Sequence, residues 1–142
     1  MTGFTFESDH ILVDVEATRD YYARYGQIAG GCTCAACRNF ADAIGAVPGK
    51  VGETLARLGL DLRKPIEVCE WGRETDGHIW YSAWYHLVGT QLTEGTEQIT
   101  LSEGCKLSFQ SECFILQEEF PSPHFQLNLE LHLPWVLKEP YE

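Results

Sequence analysis

The chain has 142 residues, 44% of them hydrophobic, and 10 Lys and Arg against 21 Asp and Glu give it a formal charge of −11. That length and apolar content suffice for one domain, residues 1–142, to bury a core without disulfides or metals holding it together. The negative charge repels phosphate backbones and anionic lipid alike, which argues against nucleic acid and membrane surfaces as partners.

The opening MTGFTFESDH has no basic stretch leading into an apolar run, and no segment approaches the roughly 18 apolar residues of a membrane span. A cytoplasmic protein is expected. Residues 9–15 set Ile11, Val13 and Val15 against Leu12 and Asp14, the period of a half-buried strand. ATRDYYARYG then predicts a short helix with Thr18 as N-cap, Gly26 at its end and Tyr21 and Tyr25 on one face, with a tyrosine-rich loop as the alternative. After the flexible GQIAGG, residues 35–44 predict a helix whose stripe of Cys37, Phe40, Ala41 and Ile44 faces the core. Pro48 and Gly49 break it, and Val51, Leu55 and Leu58 mark a second helix that Gly59 caps.

Beyond Pro65 the pattern turns to strands. IEVCEW and HIWYSAWYHLVG flank an Asp76-Gly77 turn as a hairpin, and ITL, CKLSF and FQLNLELHL follow as further antiparallel strands. In the last, Phe125, Leu127, Leu129, Leu131 and Leu133 point one way and Gln126, Asn128, Glu130 and His132 point to water, until Pro134 stops the strand. The fold class expected is α+β: an antiparallel sheet of about five or six strands, covered on one face by two short helices from the N-terminal half.

Six cysteines stand at 32, 34, 37, 69, 105 and 113. In a reducing compartment a cluster such as Cys32, Cys34 and Cys37 points to metal or redox chemistry, since thiols there do not stay paired. Three soft ligands suit Zn²⁺, whose structural sites take four in a tetrahedron; Cys69, His78 or His86 of the hairpin could supply the fourth. The redox alternative uses Cys34 as attacking thiolate and Cys37 as resolving thiol, a C-x-x-C at a helix start where peptide dipoles favour a thiolate, although no βαβ pattern surrounds it. The plainest reading is that small cysteines fill a tight turn. Cys105 and Cys113 share parity with Leu107 and Phe109, which places them in the core.

On the aromatic strand, Trp80, Trp84 and His86 share one face and Ile79, Tyr81, Ala83, Tyr85 and Leu87 the other. Either the strand is central and buried on both sides, or Trp80, Trp84 and His86 wall a binding surface or a homodimer contact. The chain contains no G-x-S-x-G, phosphate-binding glycine loop, H-E-x-x-H or dinucleotide fingerprint, and its acidic pairs, such as Glu118-Glu119, read as solvated.

CTCAACRNF, LGLDLRKPIEVCEWG, WYHLVG and LHLPWVL, spread over residues 32–137, resemble a family of small uncharacterised bacterial proteins with a C-x-C-x-x-C-R-N-F segment. The resemblance implies a bacterial, intracellular, single-domain protein and no mechanism. Together these features favour a non-enzymatic binding or interaction protein with a zinc-holding cysteine cluster, its partner a small molecule or a protein. A thiol-disulfide oxidoreductase is the alternative. The acidic charge would also suit an immunity-like protein that binds a basic partner.

Overall fold

A computed structural model of the chain describes residues 1–25, 31–93, 98–117 and 119–141. The glycine-rich stretch at 26–30, with the helix end anticipated at Gly26, lies outside them, as does Glu118 of the Glu118-Glu119 pair. The expected α+β architecture is present as seven antiparallel strands and three helices among the described residues. The strands are β1 (Thr2–Phe6), β2 (Asp9–Val13), β3 (Glu67–Arg73), β4 (Ile79–Gln91), β5 (Ile99–Ser102), β6 (Cys105–Gln110) and β7 (His124–Leu133). The helices are α1 (Val15–Arg24), α2 (Ala35–Ala43) and α3 (Gly49–Arg57). None of them is long and apolar enough to cross a membrane.

The sheet runs β1-β2-β4-β7-β6-β5, with β3 as a seventh strand on β4. β4 organises it. One edge pairs along its length with β7, from Ile79 opposite Leu133 to Val88 opposite His124. The other edge is shared: β3 takes Ile79 to Trp84, and β2 takes Gly89 to Gln91. The β1–β2 hairpin went unrecognised in the sequence because TGFTF is short and mostly exposed.

The face of β4 carrying Ile79, Tyr81, Ala83, Tyr85 and Leu87 is wholly buried, and the alternating leucines of β7 join it at no more than 1% exposure. Helices α2 and α3 cover this inner face. Phe40 of α2 meets Tyr81 edge-on at 5.7 Å, and Val51, Leu55 and Leu58 bring α3 in at 0% exposure. The tyrosine hydroxyls reach across: Tyr81 donates to Ala36 O (2.8 Å) and Tyr85 to Leu62 O (2.7 Å). On α2, Ala43 rather than Ala41 is buried, and the helix gives way to a 3-10 turn at Ile44–Ala46.

Helix α1 starts earlier than its sequence suggests. Asp14, not Thr18, is the N-cap, its carboxylate accepting from Ala17 N at 3.0 Å, so the preceding strand ends at Val13 rather than residue 15. Thr18 is thereby released for another task. Between the stretches of β4 taken by β3 and β2, two edge N–H groups have no strand opposite them, and α1 supplies the acceptors: His86 N donates to Tyr22 Oη (2.9 Å) and Val88 N to Thr18 Oγ1 (3.1 Å). Buried backbone donors must be satisfied in this way. Tyr22→Phe keeps the ring and removes the acceptor, so it should cost about 1–3 kcal/mol in urea denaturation, the penalty of one orphaned buried N–H. A loss within error would mean that water reaches His86 N.

Candidate metal centre

Cys32, Cys34 and Cys37 lie immediately before and within the first turn of α2, which is fixed from both sides. Below, Tyr81 anchors Ala36. Alongside, the fully buried Asn39 donates to Pro134 O (3.1 Å) and accepts from Val136 N (2.7 Å), clamping the segment after β7 against the helix. Arg38 of the same turn donates to Thr33 O (3.0 Å) and pairs with Glu139 of that segment.

Within this frame the three Sγ atoms lie within 4.8 Å of one another. Cys32 donates to Cys34 at 3.3 Å, too long for a disulfide, and all six cysteines are free thiols. Four thiolates around Zn²⁺ at about 2.3 Å each would lie about 3.8 Å apart, so small side-chain rotations would bring these three to ligating geometry. Cys34 is the N-cap of α2, its sulfur accepting from Cys37 N at 3.5 Å. Partial burial works against its ionisation, but donation from Cys37 N–H, the Cys32 and Cys37 thiols and Ala36 N–H outweighs it and holds the Cys34 thiol below its ordinary range. Burial pushes the Cys37 thiol well up, reinforced by hydrogen bonds from Cys37 to its neighbours. Cys32 and Cys34 are exposed and Cys37 is buried.

The fourth-ligand candidates do not join them. Cys69 lies opposite Ser82 and His86 opposite Gln126, both on the outer face of the sheet, away from α2. His78 sits at the β3–β4 turn, beside Asp76 at 3.3 Å. Among the described residues, no other His, Cys, Asp or Glu closes on the three sulfurs. The chain matches no protein-family model, no curated protein and no solved structure with which it was compared.

The outer face divides in two. Toward the β3–β4 turn, Trp80 is 37% exposed and lies between Trp71 (5.9 Å) and His132, with which it stacks at 6.5 Å and 16°. Trp71 is the extra residue of a β-bulge and donates from its indole to Ser82 Oγ at 2.8 Å. Next to this row lies a recess of about 210 Å³, lined by Glu74, Trp80, Gly104, Lys106, Glu130 and His132. Sequence parity placed Trp80 here; Trp71 and Glu74 were missed because the hairpin register, not local periodicity, brings them to it.

At the other end the face is covered, so the anticipated wall of Trp80, Trp84 and His86 does not exist as one surface. Trp84 packs on Phe114 at 5.6 Å, and His86 is fully buried, edge-on to Phe120 at 5.7 Å. Cys113 belongs to this covering segment, half-buried beyond the end of β6, while Cys105 is in the core as expected. Gln126, expected in water, is buried as well and links the layer: its Oε1 accepts from Phe114 N (2.8 Å) and its amide donates to Asn128 (2.7 Å). That oxygen can only accept, so His86 Nε2, 3.1 Å away, carries the proton, and His86 Nδ1 has no partner among the described residues.

Burial depresses the His86 pKa below its ordinary 6.5, more than hydrogen bonding to Gln126 and Phe114 raises it. The folded protein thus holds His86 neutral where the unfolded chain would protonate it. Its contribution is intact above about pH 6.5 and lost as pH falls below that value toward the lower folded pKa. Denaturant midpoints taken from pH 7.5 to 5 should fall more steeply for the wild type than for His86→Gln. Parallel profiles would mean that His86 does not titrate on unfolding.

Proposed function

We propose that this chain is a non-catalytic binding protein whose Cys32, Cys34 and Cys37 hold a thiophilic metal ion, Zn²⁺ being the ion best suited to the site. The observation that supports this reading is the convergence of three thiols at a helix start, where hydrogen bonds hold the Cys34 thiol below its ordinary range. Such a centre ties the incoming chain at Cys32 to the first turn of α2. The partner is a protein or a small molecule, for which the recess beside Trp80 offers an aromatic wall and both signs of charge. The charge of −11 favours a basic partner and speeds encounter with it. The resemblance to small bacterial proteins with C-x-C-x-x-C-R-N-F adds an intracellular setting, which keeps the thiols reduced.

The test is a thiol count on native protein purified without chelator. Three of the six cysteines should resist alkylation until a chelator is added and then react together. A count indifferent to chelator would remove the metal from the account.

One observation favours a second reading. Cys34 is exposed with a lowered pKa and Cys37 is buried with a raised one, the division between attacking and resolving thiols in a dithiol oxidoreductase. That reading requires Cys34 to alkylate faster than an ordinary exposed thiol in metal-free protein and to form a disulfide with Cys37 under mild oxidant. An ordinary rate would dismiss it.

A further inference from the structure

The three cysteines leave a metal one ligand short, and the fold shows on which side. Cys37, in the first turn of α2, is buried, whereas Cys32 and Cys34 are exposed. The histidines and the remaining cysteine of the hairpin lie across the sheet or at its far turn, and no other His, Cys, Asp or Glu among the described residues joins the three sulfurs. The position opposite Cys37 therefore faces outward. Closed zinc sites take four protein ligands, while sites with three keep a place for water or an incoming ligand.

We propose that a metal at this corner keeps its fourth position open and that an exogenous small-molecule thiolate fills it, so that the centre captures thiols instead of only bracing the turn. This rests on the metal reading above. Three thiolates make the ion soft, which suits a further thiolate as the fourth donor. They also leave Zn²⁺ with a net charge of −1, and a fourth thiolate takes it to −2. Arg38, in the same turn and paired with Glu139, offsets part of that charge. It is anchored to Thr33 O at 3.0 Å. In the exchange the bond between metal and water breaks and water leaves; the thiol gives its proton to solvent and its sulfur becomes the fourth ligand. No electron changes hands.

The experiment uses the full chain loaded with one equivalent of Co²⁺, whose sulfur-to-metal charge-transfer absorption counts Co–S bonds, titrated with 2-mercaptoethanol and followed by sedimentation. The expected result is a tetrahedral Co²⁺ spectrum at three sulfurs, a saturable rise of about one third in the charge-transfer band as the fourth joins, and a monomer throughout. A four-ligand spectrum indifferent to thiol would overturn the open position and leave the metal reading standing. Dimerisation on loading would overturn it too, since a second copy would then hold the place. Failure to bind Co²⁺ at all would remove both readings.

Discussion

Cys34→Ser is expected to abolish tight metal binding while leaving the apo fold as stable as the wild type or slightly more so. The two effects separate because Cys34 has two jobs. As the N-cap of α2 its sulfur accepts from Cys37 N at 3.5 Å, a long and weak bond. A serine hydroxyl is among the preferred caps and does the same more tightly. As a ligand, however, the hydroxyl stays protonated and hard, a poor donor to a soft ion. Loss of a residue that merely supports a ligand costs about 10–100-fold in affinity, so loss of a ligand should cost at least about 100-fold. Cys69→Ser is the control: it lies opposite Ser82 on the far face and should leave affinity unchanged. Competition against a chromogenic chelator measures both. Equal losses would mean that the metal sits elsewhere.

Gly89→Ala should be the most damaging single substitution in the sheet. At φ +152° in β4, a Cβ would stand 2.0 Å from Leu12 O and 3.0 Å from Val13 Cα, both backbone atoms of the neighbouring β2. Neither can rotate aside. The substitution strains the backbone by about 1–3 kcal/mol and forces apart a paired strand at a cost of about 1–3 kcal/mol more. Together, at about 2–6 kcal/mol, these reach only the lower end of a typical domain's stability of about 5–15 kcal/mol. Gly49 supplies the contrast: with nothing within 4 Å of its Cβ position and no positive φ, alanine there should be neutral or stabilising by up to about 1 kcal/mol. Thermal melts of the two variants decide the matter, and similar melting temperatures would contradict the clash.

The sequence made legible whatever depends on local period. The β7 leucines, the inner face of β4 and the Val51, Leu55 and Leu58 stripe of α3 were all readable from spacing and all bury as expected. So was the juxtaposition of three cysteines, because they fall within six residues of turn and helix start. What escaped depends on partners distant in sequence. Thr18 looked like a cap because it is followed by helix formers, but its hydroxyl serves an N–H seventy residues away. Gln126 and His86 read as a polar, wettable face, yet Phe114 and Phe120 arrive over them from the segment after β6. The missing ligand failed for the same reason: parity puts Cys69 and His86 on a common face, and only the packing of α2 on the opposite face separates them from the cluster.

Metal content tests the central claim most directly. Untagged protein purified without chelator should carry about one equivalent of zinc by elemental analysis, and the Cys32→Ser, Cys34→Ser and Cys37→Ser variants should each carry far less. Wild-type protein that is folded yet metal-free, and that takes up no zinc when it is offered, would contradict the account and reduce the three cysteines to a turn and its packing.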